Sequence, residues 1–334
     1  MKLLRCTAIL VLAAALATGQ PATSPPTILE VDYENLVEYQ SDTSDLSKLA
    51  TVPSPVPAVP PKNFFYALGV GDIVAVNGQP AKGTIAAQAW SIGLSPTPNP
   101  GDAIADTQRL SLRYQTFEIL KPDGTPIGTI VALGPNGGPP PPGAPLAQIG
   151  GNLVIVGGTG AFLGARGQSG AAQLPQSIPN RSASLTEDPA NRRQNGGGRR
   201  RFILHLIPMS KPEVIPIGGA PAITHSSDFT LVTASKPATA GETLALYATG
   251  LGPTTPGVDP GHPFASSPLA VVNSPVEIRV NGKPAEVLGA VGFPGAVDSY
   301  QVNFRWPGDV GMGVATIQLS AAWVAGAPVS ITVQ

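Results

Sequence analysis

This sequence of 334 residues is short of cysteine, histidine, charged residues and aromatic residues. With Cys6 as its one cysteine, the chain cannot form an internal disulfide or a thiolate metal cluster. Its three histidines, His205, His225 and His262, have no spacing that would place two of them on one face, so we expect no metal and no cofactor. Charged residues make up 12% of the chain and the net charge is −1, which gives no overall field for nucleic acid and predicts no nucleic-acid partner.

Glycine and proline are abundant instead, with 39 and 38 residues respectively. No strong helical period accompanies them, and short runs of alternating apolar residues are separated by turn residues. Such a composition favours short strands joined by many turns over long surface helices. The length suggests two domains. The sequence therefore predicts an all-β protein with two folded parts.

The first residues have the pattern of a secretory signal peptide. Lys2 and Arg5 precede an apolar segment, 9–16, that is too short to span a bilayer, and residues 15–17 read Ala-Leu-Ala, a signal-peptidase pattern. We predict a signal peptide over residues 1–19 and a secreted or cell-surface location. Cys6 would be lost on cleavage. Since no later segment is long and apolar enough, we predict no membrane span.

Residues 27–207 contain about eight candidate strands, the first of which could instead be an N-terminal capping arm. Eight meandering antiparallel strands close readily into a barrel, which removes exposed edges and leaves room for at most a small ligand. The predicted strands are 27–39, 64–76, 83–92, 107–120, 125–133, 147–156, 161–174 and 200–207.

The segment 153–168, LVIVGGTGAFLGARGQ, permits two interpretations. A dinucleotide-binding turn needs a strand, closely spaced glycines and then a helix. Gly167, Gly170 and Pro175 disfavour a helix there. The other interpretation is a turn between two antiparallel strands, in which Gly157, Gly158, Gly160 and Gly164 are structural.

On this second interpretation the segment resembles the GGTG-x-F-x-x-A-x-G motif of plant dirigent proteins and allene oxide cyclases. Residues 71–77, with Gly-Asp-Ile-Val followed by Asn77, resemble a cyclase segment as well. The resemblance covers roughly residues 64–207 and implies an eight-stranded barrel with a ligand in its lumen. In place of the pocket proline of the cyclases this chain has Ala75, and their upstream pocket glutamate has no match, which weakens the transfer of an enzymatic function.

The resemblance implies candidate ligand-binding residues in the barrel lumen: Asp72, Asn77, Tyr114 and Glu118. Arg113 is a further candidate, but strand alternation cannot place Arg113 and Tyr114 on the same face. Asp72 could instead be a bend residue that caps a neighbouring backbone N–H group. No residue is assigned a catalytic role.

Residues 208–228 contain four prolines and are predicted to be a linker. Residues 229–334 then contain about seven short strands, with an Asn-Gly hairpin turn at 281–282, which predicts an immunoglobulin-like sandwich. The segments 240–256 (AGETLALYATGLGPTTP), 268–285 and 300–307 (YQVNFRWP) resemble a C-terminal domain of secreted acidobacterial proteins. This resemblance implies an extracellular module without known chemistry.

The functional prediction is a secreted, non-enzymatic binding or structural protein, whose partner is a small apolar ligand or a cell-surface polymer. One alternative is a cyclase- or dirigent-type enzyme that acts on a small apolar molecule in the lumen. The other is an adhesin that binds acidic polymers through the arginine-rich loop 191–201. The sequence leaves the ligand, the oligomeric state and the choice between periplasm and exterior open.

Overall fold

A computed structural model describes residues 27–42, 64–92, 110–135, 148–172 and 174–333. The chain is almost entirely β-structure, and its first part is a closed eight-stranded antiparallel barrel, as predicted. The predicted signal peptide, residues 1–19, lies outside the described residues. The strands of the first part are β1 (Thr27–Asp42), β2 (Phe64–Val76), β3 (Gln79–Ile92), β4 (Leu110–Leu120), β5 (Pro126–Pro135), β6 (Gln148–Gly160), β7 (Arg166–Ala172), β8 (Arg181–Ser184) and β9 (Gly198–Ile207).

The barrel closes because β1 pairs with both β2 and β9. The order around the barrel is β1, β2, β3, β4, β5, β6, β7, β9 and back to β1. Pairing of β1 with β9 ends at Leu36 and Gly198, and from Val37 onward the short parallel strand β8 takes that place. Every barrel strand therefore has a partner on both sides, and no long edge is exposed.

The two ends of the barrel differ in their connections. At one end, which we call the turn end, tight turns at 77–78, 121–125 and 161–165 join consecutive strands. At the other, the loop end, β7 is connected to β9 through β8, a 3₁₀ turn (Pro189–Asn191) and a four-residue helix, α1 (Arg192–Asn195). The connections 43–63, 93–109 and 136–147 also start and finish at the loop end and lie outside the described residues.

The barrel interior is apolar over its middle and turn end. Alternate residues of each strand point inward, so one face of every strand contributes to this core. Fully or almost fully buried side chains of this core include Tyr33, Ile73, Ile85, Phe117, Ile119, Ile130, Ile155, Leu204 and Leu206.

The second part contains further sheets that are consistent with a sandwich. One sheet holds β14, β20 and β19 with shorter strands beside them, and the other holds β17, β18, β21, β22 and β23. Side chains from both sheets form one core, with Leu246 and Phe304 from the first and Ile278 and Ile317 from the second. The immunoglobulin-like arrangement itself stays a prediction. The strands are β10 (Glu213–Val214), β11 (Pro216–Ile217), β12 (Ala220–Pro221), β13 (Ile223–His225), β14 (Thr243–Thr249), β15 (Thr254–Thr255), β16 (Val271–Val272), β17 (Val276–Val280), β18 (Lys283–Ala285), β19 (Val287–Gly292), β20 (Tyr300–Arg305), β21 (Gly313–Ala321), β22 (Val324–Ala325) and β23 (Val329–Val333).

The structure corrects the predicted linker over residues 208–228. Within it, β10 and β13 both pair with β14, and Ile223 is fully buried in the sandwich core. Prolines at 212, 216 and 221 suggested a connector, but short strands with few ladder hydrogen bonds accommodate proline. The sandwich sheets therefore begin at about Glu213 rather than at Phe229.

The turn end of the barrel packs against the sandwich. The β21–β22 turn inserts Ala322, which is fully buried among the barrel core residues, and Trp323 donates a hydrogen bond from Nε1 to Gln79 at 3.1 Å. Nearby, the Asn273 side-chain amide donates to the Pro126 carbonyl at 3.0 Å. The sandwich thus covers the turn end, and the loop end faces away from these contacts.

Candidate functional site

Small side chains line the interior of the barrel near its loop end. Among the residues whose burial is described, the inward positions of β2, β3 and β5 toward the loop end carry alanine or glycine, where the turn end carries isoleucine. The interior of an eight-stranded barrel is just wide enough to be filled by side chains of ordinary size, so alanine and glycine fill less of it. We call this region the lumen site. Its small wall residues are Ala67, Gly69, Ala87, Ala89, Ala132 and Gly134.

Gln115 is the most unusual residue of the lumen site. Its side chain is 0% exposed, and among the described residues neither its Nε2 nor its Oε1 has a hydrogen-bond partner. It lies on the inward face of β4, in phase with the core residues Phe117 and Ile119. A buried amide without partners costs about 1–3 kcal/mol of stability. A polar group delivered from outside the chain would remove that cost.

An ion pair lies on the same inward face of β4. Arg113 donates from Nη2 to Glu38 Oε1 at 3.0 Å, and both side chains are mostly buried. The Asn180 amide donates to the same carboxylate oxygen at 3.2 Å and accepts from the Tyr33 hydroxyl at 3.4 Å. Four side chains that are distant in sequence therefore form one polar chain along the barrel wall.

Three aromatic rings pack together on the turn-end side of these polar groups. Phe202 stacks on Tyr33 with ring centroids 5.1 Å apart and meets Phe117 edge to face at 5.2 Å. Burial raises the pKa of Tyr33 to about 12, although the charges of Arg200 and Arg113 act in the opposite direction. Tyr33 is therefore protonated at neutral pH, and its hydroxyl can donate to Asn180. The lumen site thus has an aromatic floor and polar groups above it.

The structure places Tyr114 and Glu118 on the outer face of β4. Tyr114 is 49% exposed and Glu118 is exposed, whereas Gln115 and Phe117 between them are buried. The prediction that Tyr114 and Glu118 line the lumen is wrong. Alternation limited Arg113 and Tyr114 to opposite faces, and Arg113 is the one that points inward.

Asn77 is a turn residue and does not point into the lumen. It occupies the β2–β3 turn with φ of 50°, and Gly78 follows with φ of 73°. Its side-chain oxygen accepts the Glu30 backbone N–H at 2.7 Å. Asparagine tolerates this left-handed conformation better than most residues, which explains its presence in the hairpin. The lumen prediction for Asn77 is corrected accordingly.

Asp72 points away from the lumen and anchors α1 to the barrel wall. Its carboxylate accepts hydrogen bonds from Arg192, from Arg193 Nε at 2.9 Å and from Asn35 Nδ2 at 3.0 Å. Burial alone raises the pKa of this carboxyl, but the hydrogen bonds from Arg193 and Asn35 and the charge of Arg192 outweigh it, and the pKa is lowered. Neither the lumen role nor the alternative backbone cap describes Asp72.

Several arginines of the 191–201 loop are engaged in ion pairs within the chain. Besides the two arginines on Asp72, Arg201 holds Asp32 through Nε at 2.5 Å and Nη2 at 2.8 Å and also pairs with Glu30. Just before the loop, Arg181 binds Glu187 through two hydrogen bonds. These carboxylates compensate part of the positive charge that the adhesin alternative requires.

The GGTG segment forms the end of β6 and the turn that follows. Gly160 and Gly164 have φ of 61° and 70°, whereas Gly157 and Gly158 lie within the strand. After the turn comes the strand β7. A dinucleotide site would need a helix at that point, so the structure contradicts the dinucleotide interpretation.

The structure describes no metal centre. Within the described ranges no three histidine, cysteine, aspartate or glutamate side chains are close enough to bind a metal ion. His225 is buried, with Nδ1 3.0 Å from Glu242 Oε2 and Nε2 3.2 Å from the Lys236 carbonyl oxygen, which is a structural arrangement. The described part of the chain also contains no helix of the length and apolarity needed to cross a membrane.

Sequence reasoning missed the residues that give the lumen site its polarity: Gln115, Glu38 and Asn180. Gln115 had a partial signal, since it shares the phase of the apolar residues Phe117 and Ile119, but the opposite face of β4 is partly apolar as well. Glu38 and Asn180 had none, because their meeting depends on barrel closure and on the path of the β7–β9 connection. Ser169 on β7 is also buried, and its hydroxyl has no partner within the described residues.

Comparison of the whole chain with protein-family models, with curated proteins and with solved structures gives no match. The resemblances to dirigent proteins, allene oxide cyclases and acidobacterial secreted modules therefore stay predictions, and the functional argument rests on the lumen site.

Proposed function

We propose that this chain is a secreted, non-enzymatic binding protein that holds a small molecule in the lumen site. The observation that carries the proposal is Gln115, a fully buried amide that faces the barrel interior without a partner among the described residues. The small wall residues around it support the proposal, because alanine and glycine fill less of a barrel interior than larger side chains do. The sandwich covers the turn end of the barrel, so a ligand does not enter from that end.

The physical chemistry of a binding pocket agrees with this proposal. Ligand sites are mostly apolar, with a few convergent polar groups that fix the orientation of the ligand. The aromatic floor supplies apolar surface, and Gln115 with the Arg113–Glu38 pair supplies the polar groups. A ligand that satisfies the Gln115 amide gains a hydrogen bond and removes the cost of its isolation.

The proposal is tested by ligand-induced stabilisation. A panel of small apolar molecules, each with one polar group, is added to the wild type, and the melting temperature is measured. A ligand present at one hundred times its Kd stabilises the folded state by about 2.7 kcal/mol. We expect at least one saturable ligand, with an affinity about tenfold weaker in the Gln115→Leu variant.

Tyr114→Phe is the matched control, because it removes a polar atom from the adjacent residue of β4 on the exposed outer face. We expect no change in ligand affinity for this variant. A panel without any saturable ligand, or a ligand that binds wild type and Gln115→Leu equally well, contradicts the proposal.

A second candidate is the cyclase- or dirigent-type enzyme, and Glu38 is the observation that favours it. A carboxylate paired with a guanidinium inside a partly apolar barrel could hold or move a proton during ring formation. Turnover of an epoxide or radical-coupling substrate that is lost in Glu38→Gln would favour the enzyme over the binding protein. Turnover that is absent in the wild type, with ligand binding intact, would favour the binding protein.

A further inference from the structure

The polar groups of the lumen site differ in what they can still bind. Glu38 accepts hydrogen bonds from both Arg113 and Asn180, and Asn180 in turn accepts from the Tyr33 hydroxyl. Gln115, in contrast, offers a carbonyl acceptor and an amide NH2 donor group that are fully buried and unmatched within the described residues. The group that a ligand must satisfy is therefore an uncharged donor–acceptor pair.

The Arg113–Glu38 pair points in the same direction, while the positive charge of Arg200 acts on Tyr33 of the aromatic floor. The guanidinium of Arg113 lies 3.0 Å from the carboxylate of Glu38, so the pair has no net charge. A charged ligand would lose its hydration on entry and would find both charges of this pair already compensated by each other. Transfer of an uncompensated ion into a mostly apolar interior is far more costly than transfer of a neutral polar group.

From these two observations we infer that the ligand is an uncharged molecule with a compact apolar body and an amide-type head group, which pairs with the Gln115 side chain. The head group presents an N–H donor to Gln115 Oε1 and a carbonyl acceptor to Gln115 Nε2. The apolar body packs on the aromatic floor formed by Tyr33, Phe117 and Phe202. This inference rests on the proposed function, since it names the ligand class of the same site.

Three probes of nearly equal size test the inference: benzamide, benzoate and benzylammonium. At neutral pH they carry a neutral amide, a negative charge and a positive charge on the same ring. Their affinities for the full chain are measured by ligand-observed NMR titration. We expect benzamide to bind about tenfold more tightly than either ion. In Gln115→Leu the preference for benzamide should disappear.

Glu38→Gln provides the sharper test, because it removes the carboxylate next to Arg113 and leaves the size of the side chain nearly unchanged. The positive charge of Arg113 then loses this compensation, and we expect benzoate affinity to rise by about tenfold relative to benzamide. Tyr114→Phe, on the outer face of the same strand as Arg113, should leave all three affinities unchanged. Melting curves of every variant show whether the barrel is folded.

The outcomes separate this inference from the proposed function. If the three probes bind with equal affinity, the lumen site does not discriminate between head groups, and the inference is wrong. If benzoate binds best to the wild type, the assigned charge balance is wrong. If neither these probes nor the wider panel binds, the proposed function fails and the inference with it.

Discussion

Two adjacent glycines of β6, Gly157 and Gly158, should respond in opposite ways to the same substitution. A Cβ atom at Gly158 would lie 2.3 Å from the Phe162 carbonyl oxygen and 2.8 Å from that of Thr129. Both contacts are with backbone atoms, which cannot move aside as a flexible side chain could. At Gly157 the nearest atom is the Arg166 Nη1, at 4.0 Å, so a methyl group has room.

The magnitudes follow from these distances. Gly158→Ala forces the backbone of the turn to shift, and overpacking of this kind costs about 1–3 kcal/mol. Since neither glycine has a positive φ, Gly157→Ala introduces no backbone strain and should stabilise the protein by about 0.4–1 kcal/mol through the unfolded chain. For a protein part of this size, a loss of 1–3 kcal/mol lowers the melting temperature by about 2–12 °C.

The assay is thermal unfolding of the two variants and the wild type, followed by circular dichroism and by calorimetry. Gly158→Ala should melt below the wild type, and Gly157→Ala should melt at or above it. The reasoning is refuted if the two variants lower the melting temperature equally, because the packing around β6 would then differ from the one described.

Three further predictions concern the anchor, the boundary and export. Asp72→Asn should weaken the contacts of Arg192 and Arg193 with the barrel wall and so increase proteolytic cleavage near residues 192–195. Cleavage equal to that of the wild type would contradict this prediction. Because the pKa of Asp72 is lowered in the folded protein, the Asp72 carboxylate stabilises the fold at pH values above its ordinary pKa of 3.8. This stabilisation is lost as the pH falls through the lowered pKa of the folded state. In Asp72→Asn the unfolding free energy, measured in urea, should therefore depend less on pH in the acid range. A fragment of residues 211–334 should melt cooperatively, and a fragment of residues 229–334 should have a lower melting temperature. Only the longer fragment retains the pairing of β13 with β14 and the buried Ile223. Equal melting temperatures of the two fragments would contradict this prediction. Mass spectrometry of the exported protein should find an N-terminus between Thr18 and Gln20, and an intact Met1 would refute the predicted signal peptide.

The strand content and several turns could be predicted from the sequence because they depend on local chemistry. Asn281-Gly282, predicted as a hairpin turn, has positive φ at both residues, as turns of this type require, and Gly160 and Gly164 of the predicted glycine-rich turn have positive φ as well. Low charge, many glycines and prolines and alternating apolar residues excluded long helices and favoured a barrel, which the structure confirms. These features depend on a few neighbouring residues, so strands and turns can be predicted from them without knowledge of tertiary contacts.

The position of the candidate site could not be predicted from local sequence patterns. On β4, one face carries Leu112 and Tyr114 and the other carries Phe117 and Ile119, so both faces are partly apolar. Alternation shows that the two sets are opposite but does not show which set is buried. Barrel closure decides this, and it buries Gln115 and exposes Tyr114.

Contacts between distant residues were likewise decided only by the tertiary structure. Asp72 pairs with Arg192 and Arg193, and Glu38 with Arg113, because the barrel brings their strands and loops together. The sequence by itself determined that this chain forms strands and turns, since those depend on local backbone preferences and alternation. Which face is buried, which charges pair and where the sandwich begins depend on the long-range packing that only the closed barrel and the assembled sheets provide.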